Sequence, residues 1–142
     1  MNKTYKTKYI GGMAFEMTLD DHHKIIMDAK AEVGGNDKGP RPKQLLITAL
    51  TGCSGMDVVS ILKKMRVEYD SFDMEVETEA SEEHPKVYTK IHVIYKFSGK
   101  KLFEDKDKFE KAIDLSHERY CGVSAMLSKA ADLTHELQLN EL

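Results

Sequence analysis

The feature that most constrains this fold is an apolar segment at residues 41–65, RPKQLLITALTGCSGMDVVSILKKM. On a helix, at 100° per residue, its apolar side chains fall on every side instead of forming one stripe. Pro42 suits the first turn of a helix, and Lys63 and Lys64 suit the last turn, where the helix dipole favours cations. The pattern predicts a long helix that is buried on all sides.

This helix would be about 36 Å long at 1.5 Å per residue, close to the roughly 37 Å diameter of a compact chain of this size. We therefore expect it to cross the whole domain. Polar residues interrupt the segment and two lysines follow it, so a membrane span is not expected. Gly52, Ser54 and Gly55 surround Cys53, and each glycine weakens a helix by about 1 kcal/mol. Such small residues favour the close approach of another helix, for example across a dimer axis.

Length and charge limit the class of protein. The chain has 142 residues, of which 41% are hydrophobic and 32% are charged, so residues 1–142 are predicted to form a single soluble domain. A net charge of −3 with dispersed basic residues leaves no basic face, which excludes nucleic acid as an expected partner. The first residues, MNKTYKTKY, lack the apolar stretch of a signal peptide, so a cytoplasmic protein is expected.

In the rest of the chain, apolar residues recur at every second position, as in strands, or at every third or fourth position, as in helices. Two alternating stretches after the long helix predict an antiparallel hairpin with one face on that helix. The order of elements predicts the α+β class, with antiparallel sheets around a central helix. The predicted elements are strands at 4–19 around Gly11-Gly12, a turn at Asp20-Asp21, a strand at 23–28, a loop at 31–40, the long helix, strands at 69–80 and 87–97, helices at 106–118 and 121–130, and a strand at 133–139.

Two cysteines, Cys53 and Cys121, lie 68 residues apart, which excludes a CxxC motif. In a reducing compartment such a pair is more often free or catalytic than a structural disulfide. Burial and Asp57, one helical turn away, are expected to raise the pKa of Cys53. Cys121 is expected to begin a helix just past Arg119, where the dipole and a cation lower a thiol pKa. From the residues alone, Cys121 is predicted to be the more reactive thiol.

Asp57 also needs a partner, because a carboxylate inside an apolar helix is unfavourable without one. We expect it to cap a neighbouring helix or to bind a basic residue. The six histidines show no spacing typical of a metal site, so no metal is predicted. No cofactor is predicted either.

The segments GPRPKQLLITALTGCSGMDVVSILKKM and HERYCGVSAML resemble the two cysteine motifs of the osmotically inducible protein C and organic hydroperoxide resistance (OsmC/Ohr) family. With matching length and element order, the resemblance covers nearly the whole chain. It implies an OsmC-like fold and an intertwined homodimer, in which two long central helices pack together inside wrapped sheets.

The same resemblance implies a thiol peroxidase. Cys53 takes the place of the peroxidatic cysteine, which attacks the O–O bond of an organic hydroperoxide and becomes a sulfenic acid. Cys121 takes the place of the resolving cysteine, which condenses with it to a disulfide that a dithiol reduces.

The chain departs from the family pattern at three positions. Active members have a glutamate where this chain has Lys43, an arginine in the early strand turn where this chain has none before Arg41, and a proline where it has Gly122. Arg41, Lys43 and Arg119, from either subunit, are therefore the candidates for a cation that supports Cys53, and Asp57 is a further supporting candidate.

These observations favour a cysteine-based redox protein that reduces organic hydroperoxides. Two alternatives stay open. One is a catalytically silent stress or binding protein whose pocket holds a hydrophobic ligand, and the other is a thiol redox sensor or a protein with another thiol chemistry. The methionines are more typical of core residues than of a ligand pocket.

Overall fold

A computed structural model of the chain describes residues 2–20 and 22–142. The predicted turn at Asp20-Asp21 lies partly outside the described residues. The predicted α+β class is confirmed, and the order of elements agrees with the prediction. The strands are β1 Lys6–Gly11, β2 Ala14–Leu19, β3 His23–Met27, β4 Ser71–Ala80, β5 Tyr88–Gly99 and β6 Asp132–Glu141, and the helices are α1 Gln44–Lys64, α2 Lys106–Leu115 and α3 Gly122–Leu127.

The described chain forms two compact units that divide between Thr48 and Ala49, inside α1. The first unit contains the antiparallel sheet β1-β2-β3. Gly12 and Met13 form the turn between β1 and β2. Gly11, the last residue of β1, and Gly12 have φ angles of 104° and 58°, which are reached most easily without a side chain. The second unit contains the sheet β4-β5-β6, α2, α3 and the larger part of α1.

The sheet of the second unit has β5 at its centre, antiparallel to β4 and parallel to β6. The prediction of a wholly antiparallel arrangement is therefore wrong for β6. A parallel neighbour requires a long crossover connection, and the segment between β5 and β6 supplies one because it contains α2 and α3.

The core of this unit lies on one face of β5. Ile91, Val93, Tyr95 and Phe97 alternate along the strand, and each is at most 1% exposed. The ring centroid of Phe97 lies 4.6 Å from that of Phe109 on α2. Burial of one large apolar side chain contributes about 1.5–3 kcal/mol, so this row holds the helices on the sheet and also carries Tyr95 into the interior.

The long helix α1 is buried along one stripe. It begins at Gln44, later than predicted, and its buried residues are Leu50, Ser54, Val58 and Leu62, four positions apart. In contrast, Met56 is 75% exposed and Val59 is 42% exposed. The prediction of burial on all sides is therefore wrong for the single chain, because the sheet of the unit covers only one side of the helix.

By length and composition, α1 also meets the criteria for a membrane-spanning helix. A single helix of this kind is weak evidence for a span, because the core helices of soluble proteins meet the same criteria.

The helix predicted at 106–118 ends earlier than expected. α2 stops at Leu115, and Ser116–Tyr120 form one π-helical turn that is closed by a hydrogen bond of 2.8 Å from the Cys121 N–H to the Ser116 carbonyl. Cys121 then caps α3, so its predicted place at a helix start is confirmed. Single π-helical turns occur often at functional sites, and this one places Ser116, His117 and Cys121 within one short segment.

Candidate active site

Cys53 and Asp57 lie one turn apart on α1, and both are half-buried. Ser54, next to Cys53, belongs to the fully buried stripe of the helix. Because residues i and i+4 lie on the same helix face, the helix presents a thiol and a carboxylate together at the edge of its buried side.

Cys121 approaches from the other side of the site. It is the N-cap residue of α3, only 3% exposed, and its sulfur accepts a hydrogen bond of 3.3 Å from the Ser124 N–H. The described structure therefore brings together three of the residues singled out in the sequence. The two Sγ atoms and a carboxylate oxygen of Asp57 all lie within 4.8 Å of one another, and both cysteines are free thiols.

The pKa of the Cys53 thiol is raised above its usual value. Burial is the main cause, followed by the hydrogen bond with Cys121, while a hydrogen bond from the Val123 N–H lowers the pKa. Negative charge on Cys121 or Asp57 raises it further. The direction predicted from the sequence for Cys53 is confirmed.

Asp57 has a different partner from the one predicted. The Ser116 hydroxyl donates to its Oδ2 atom at 3.0 Å. Within the described residues, the prediction of a helix cap or a basic partner is wrong, because the π-helical turn places a buried serine hydroxyl against this carboxylate.

A chain of buried polar groups extends from this point into the core. The Ser116 hydroxyl is also 2.9 Å from Ser54 Oγ, and the Ser54 hydroxyl is hydrogen-bonded to the Tyr95 hydroxyl. Tyr95 is in turn 2.6 Å from Nε2 of His117. The opposite ring nitrogen of that histidine, Nδ1, is 3.2 Å from Ser124 Oγ. Each polar group in this interior chain therefore has a partner, as buried polar groups require.

Burial shifts the ionisation of the aromatic members of this chain. It raises the pKa of Tyr95 to about 12. It also lowers the pKa of His117 to about 4, together with the charge of His135, whose ring stacks on that of His117 at 4.4 Å between centroids. At neutral pH both Tyr95 and His117 are therefore uncharged.

The structure gives partners for two of the three predicted supporting cations. The guanidinium of Arg119 lies over the ring of Tyr120, 5.6 Å from its centroid. Arg41 belongs to the first unit, where it pairs with Asp37 and donates to the Gly39 carbonyl at 2.7 Å. Lys43 lies in the same unit, in the turn before α1. A role for these three residues beside Cys53 stays a prediction.

The first unit has a cavity of its own, of about 500 Å³, with an almost entirely apolar lining that includes Met13, Phe15, Met27 and Val33. Asp28, at its edge, is buried and accepts three backbone hydrogen bonds, from Ala29, Asn36 and Lys38, that hold the glycine-rich loop in place. Met13 and Met27, which the sequence favours as core residues, thus line this cavity.

Sequence reasoning missed the polar chain. The sequence predicts no hydrogen-bonding role for Ser54, Tyr95, Ser116 or Ser124, and it tests the histidines only as metal ligands. One signal was available: Tyr95 alternates with Val93 and Phe97 on a face predicted to be buried, where its hydroxyl needs a partner. The residues that supply the partners lie far away in the sequence, so the pattern does not identify them.

Comparison with known proteins relates this geometry to a family. The family model described as OsmC-like protein matches residues 35–136. Protein YhfA of Escherichia coli strain K12 is 35% identical over 135 residues, which cover 94% of this chain and 96% of YhfA.

Solved structures agree with this relationship. A hypothetical protein from Aquifex aeolicus VF5 is 29% identical, with a TM-score of 0.79 and coverage of 99% of both chains. The organic hydroperoxide resistance protein OhrB of Bacillus subtilis is 22% identical, with a TM-score of 0.65 and coverage of 96% of this chain and 98% of OhrB. At that identity, the second similarity shows the fold alone.

Proposed function

Because the chain belongs to the OsmC-like protein family, we propose that it reduces organic hydroperoxides by a two-cysteine thiol mechanism. Cys53 is the peroxidatic cysteine and Cys121 is the resolving cysteine. The observation that carries this proposal is the proximity of their sulfur atoms, within 4.8 Å, although they lie on two separate elements. A disulfide therefore requires only a small movement, because its two sulfurs are bonded at about 2.05 Å.

In the first step, the Cys53 thiolate attacks the terminal oxygen of the hydroperoxide. The O–O bond breaks, the leaving alkoxide takes a proton and departs as an alcohol, and Cys53 becomes a sulfenic acid. The Val123 N–H is hydrogen-bonded to the Cys53 sulfur and lowers its pKa, so it favours the thiolate that this step requires.

In the second step, the Cys121 sulfur attacks the sulfenic sulfur. A disulfide forms and the hydroxyl leaves with a proton as water, so one hydroperoxide has been reduced by two thiols. A dithiol reductant then restores both cysteines by exchange. Cys121 is buried beside its target, which favours this condensation over further oxidation of Cys53.

The reaction is expected to be slow at neutral pH. Burial, the hydrogen bond with Cys121 and the Asp57 charge raise the pKa of Cys53, and only the thiolate is the nucleophile. The rate is therefore expected to rise with pH above neutrality.

The functional form in this proposal is a cytoplasmic homodimer in which residues 1–142 act as one OsmC-like domain. Support comes from the open side of α1, where Met56 and Val59 are exposed apolar residues. A side chain at Gly55 would approach Met74 within the same chain, but a side chain at Gly52 would meet nothing within 4 Å. A second copy of α1 packing against this face would account for both features.

Turnover of cumene hydroperoxide with a dithiol reductant, in the presence of a metal chelator, tests the proposal. The wild type should turn over and Cys53→Ser should not. Cys121→Ser should turn over more slowly and lose activity through over-oxidation of Cys53, because its sulfenic acid has no thiol partner within the chain and reacts only with the added dithiol. Absence of turnover in the wild type would contradict the proposal, and peroxide oxidation without dithiol-driven turnover would favour the redox sensor.

A second candidate function is the binding of a hydrophobic ligand. The apolar cavity of the first unit favours it, since about 500 Å³ is within the usual range for small-molecule sites. Native mass spectrometry of the purified protein tests this alternative. A lipid-sized adduct that Met13→Gln reduces would support it, and an adduct-free protein that does not bind added fatty acids would contradict it.

A further inference from the structure

The thiols and the carboxylate of the candidate active site also form a set of possible metal ligands. Cys53, Asp57 and Cys121 each offer one ligand atom, and the three atoms all lie within 4.8 Å of one another. No spacing in the sequence indicates this set, because the ligands come from α1 and from the residue that caps α3.

The distances between the three ligand atoms suit tetrahedral coordination of a metal ion. With metal–sulfur bonds of about 2.3 Å and metal–oxygen bonds of about 2.1 Å, neighbouring ligand atoms are about 3.6–3.8 Å apart. No pair in the set exceeds 4.8 Å, so closure around an ion shortens any pair by at most about 1 Å. Rotation of side chains can supply a movement of this size.

The three possible ligand residues accept hydrogen bonds of the kind that usually surround the ligands of a bound metal ion. The Ser124 N–H donates to the Cys121 sulfur, and the Val123 N–H donates to the Cys53 sulfur. Such bonds stabilise negative charge on a bound thiolate. The Ser116 hydroxyl donates to Oδ2 of Asp57, and a carboxylate with one such hydrogen bond keeps further lone pairs for an ion. Ligating carboxylates in metal sites usually have a partner of this kind.

The set also leaves room for a fourth ligand. Cys53 and Asp57 are only half-buried, so water can reach the site beside them. Two thiolates and a carboxylate favour a thiophilic divalent ion, and three protein ligands with one open position are typical of zinc sites that exchange ligands.

We propose that the reduced protein binds one thiophilic divalent ion of the Zn²⁺ class per chain through Cys53, Cys121 and Asp57. The binding requires both thiols, so the disulfide form releases the ion. When an organic hydroperoxide is the oxidant, two thiols and one hydroperoxide become a disulfide, an alcohol and water. The site shares its thiols with the proposed peroxidase, but metal binding does not depend on turnover.

Titration of the reduced full-length protein with Zn²⁺, in competition with a chromogenic chelator, measures this binding under anaerobic conditions. We expect one ion per chain, and loss of that ion when the protein is oxidised with one equivalent of cumene hydroperoxide. Co²⁺ in place of Zn²⁺ should give thiolate charge-transfer absorption, which histidine ligands do not give. Failure of the reduced protein to bind Zn²⁺, or a Co²⁺ complex without thiolate absorption, would overturn the proposal.

Asp57→Asn tests the third ligand with little change of shape. The affinity for Zn²⁺ should fall at least about tenfold, as changes around a metal site typically do. The matched control is Asp73→Asn, an exposed aspartate on β4, which should bind as the wild type does. Equal affinity in Asp57→Asn would overturn the assignment of this ligand.

The two proposals at this site fail separately. Peroxide turnover in the presence of chelator without any Zn²⁺ binding would refute only the metal site. Zn²⁺ binding in a protein that never turns over would refute only the peroxidase.

Discussion

Tyr95 on β5 and His117 in the π-helical turn are joined by a hydrogen bond of 2.6 Å between the phenolic oxygen and Nε2. The same hydroxyl is hydrogen-bonded to Ser54 on α1. One buried tyrosine thus connects the sheet to both segments that carry the cysteines. Its contribution to the site is to fix the position of α1 against the turn that precedes Cys121.

Tyr95→Phe should destabilise the protein by about 1–3 kcal/mol, because two buried polar groups each lose a hydrogen-bond partner. Urea unfolding at pH 7 measures the change. Tyr9→Phe is the matched control, because the Tyr9 hydroxyl donates to the Gly12 carbonyl at an exposed position and its loss should change stability by less than about 0.5 kcal/mol. Equal effects of the two substitutions would contradict the role of the Tyr95 hydroxyl.

Stability should also fall in mild acid because of His117. Its pKa of about 4 in the folded chain lies below the ordinary value of 6.5, mainly because the ring is buried. Between these values the unfolded chain binds more protons than the folded chain, so the free energy of unfolding decreases as pH falls from 6.5 towards 4.

Urea unfolding at several pH values measures this dependence. His117→Gln, which can still bond to Tyr95, should show a weaker loss of stability across the same window. His23→Gln, at an exposed position on β3, should retain the wild-type dependence. An unchanged pH dependence in His117→Gln would show that other groups cause it.

Asp57→Asn should make Cys53 more reactive. Burial is the main cause of the raised pKa of Cys53, and the negative charge of Asp57 adds to it, so removing that charge lowers the pKa and increases the thiolate fraction. The rate of alkylation by iodoacetamide, measured from pH 7 to 10 with chelator present in a Cys121→Ser background, should rise. Asp73→Asn is again the control, and a slower or unchanged rate in Asp57→Asn would contradict this account of the pKa.

The open side of α1 should hold the homodimer together. Val59→Glu places a charge on this apolar face and should shift the protein to a monomer in size-exclusion chromatography with light scattering. Val87→Glu makes the same change at a similarly exposed valine in the turn before β5 and should leave the dimer intact. A wild type that is monomeric at micromolar concentration would refute the homodimer.

Most elements of the fold could be predicted from the sequence because their patterns are local. Alternation identified β4 and β5, and the apolar segment identified α1. The parallel pairing of β6 with β5 could not be predicted from alternation. Alternation shows which residues lie on each face of the sheet, but not whether the neighbouring strand is parallel or antiparallel. The burial of α1 in the single chain was overestimated for a similar reason. An apolar residue indicates burial, but it does not indicate whether the same chain or a second copy contacts it.

The candidate site could be predicted only in part. The two cysteine motifs identified Cys53 and Cys121, and helical spacing placed Asp57 beside Cys53. Ser116 could not be assigned to Asp57, because 59 residues separate them and only the π-helical turn brings them together. The pairing of Tyr95 with His117 depends in the same way on tertiary structure.

Treating the reduced protein with one equivalent of cumene hydroperoxide and mapping its cysteines by mass spectrometry tests the two-cysteine mechanism most directly. We expect a Cys53–Cys121 disulfide within each chain, the loss of two thiols for each hydroperoxide reduced, and no covalent dimer on a non-reducing gel. A Cys53 that remains a thiol, or that accumulates as sulfinic acid beside a free Cys121, would contradict the mechanism.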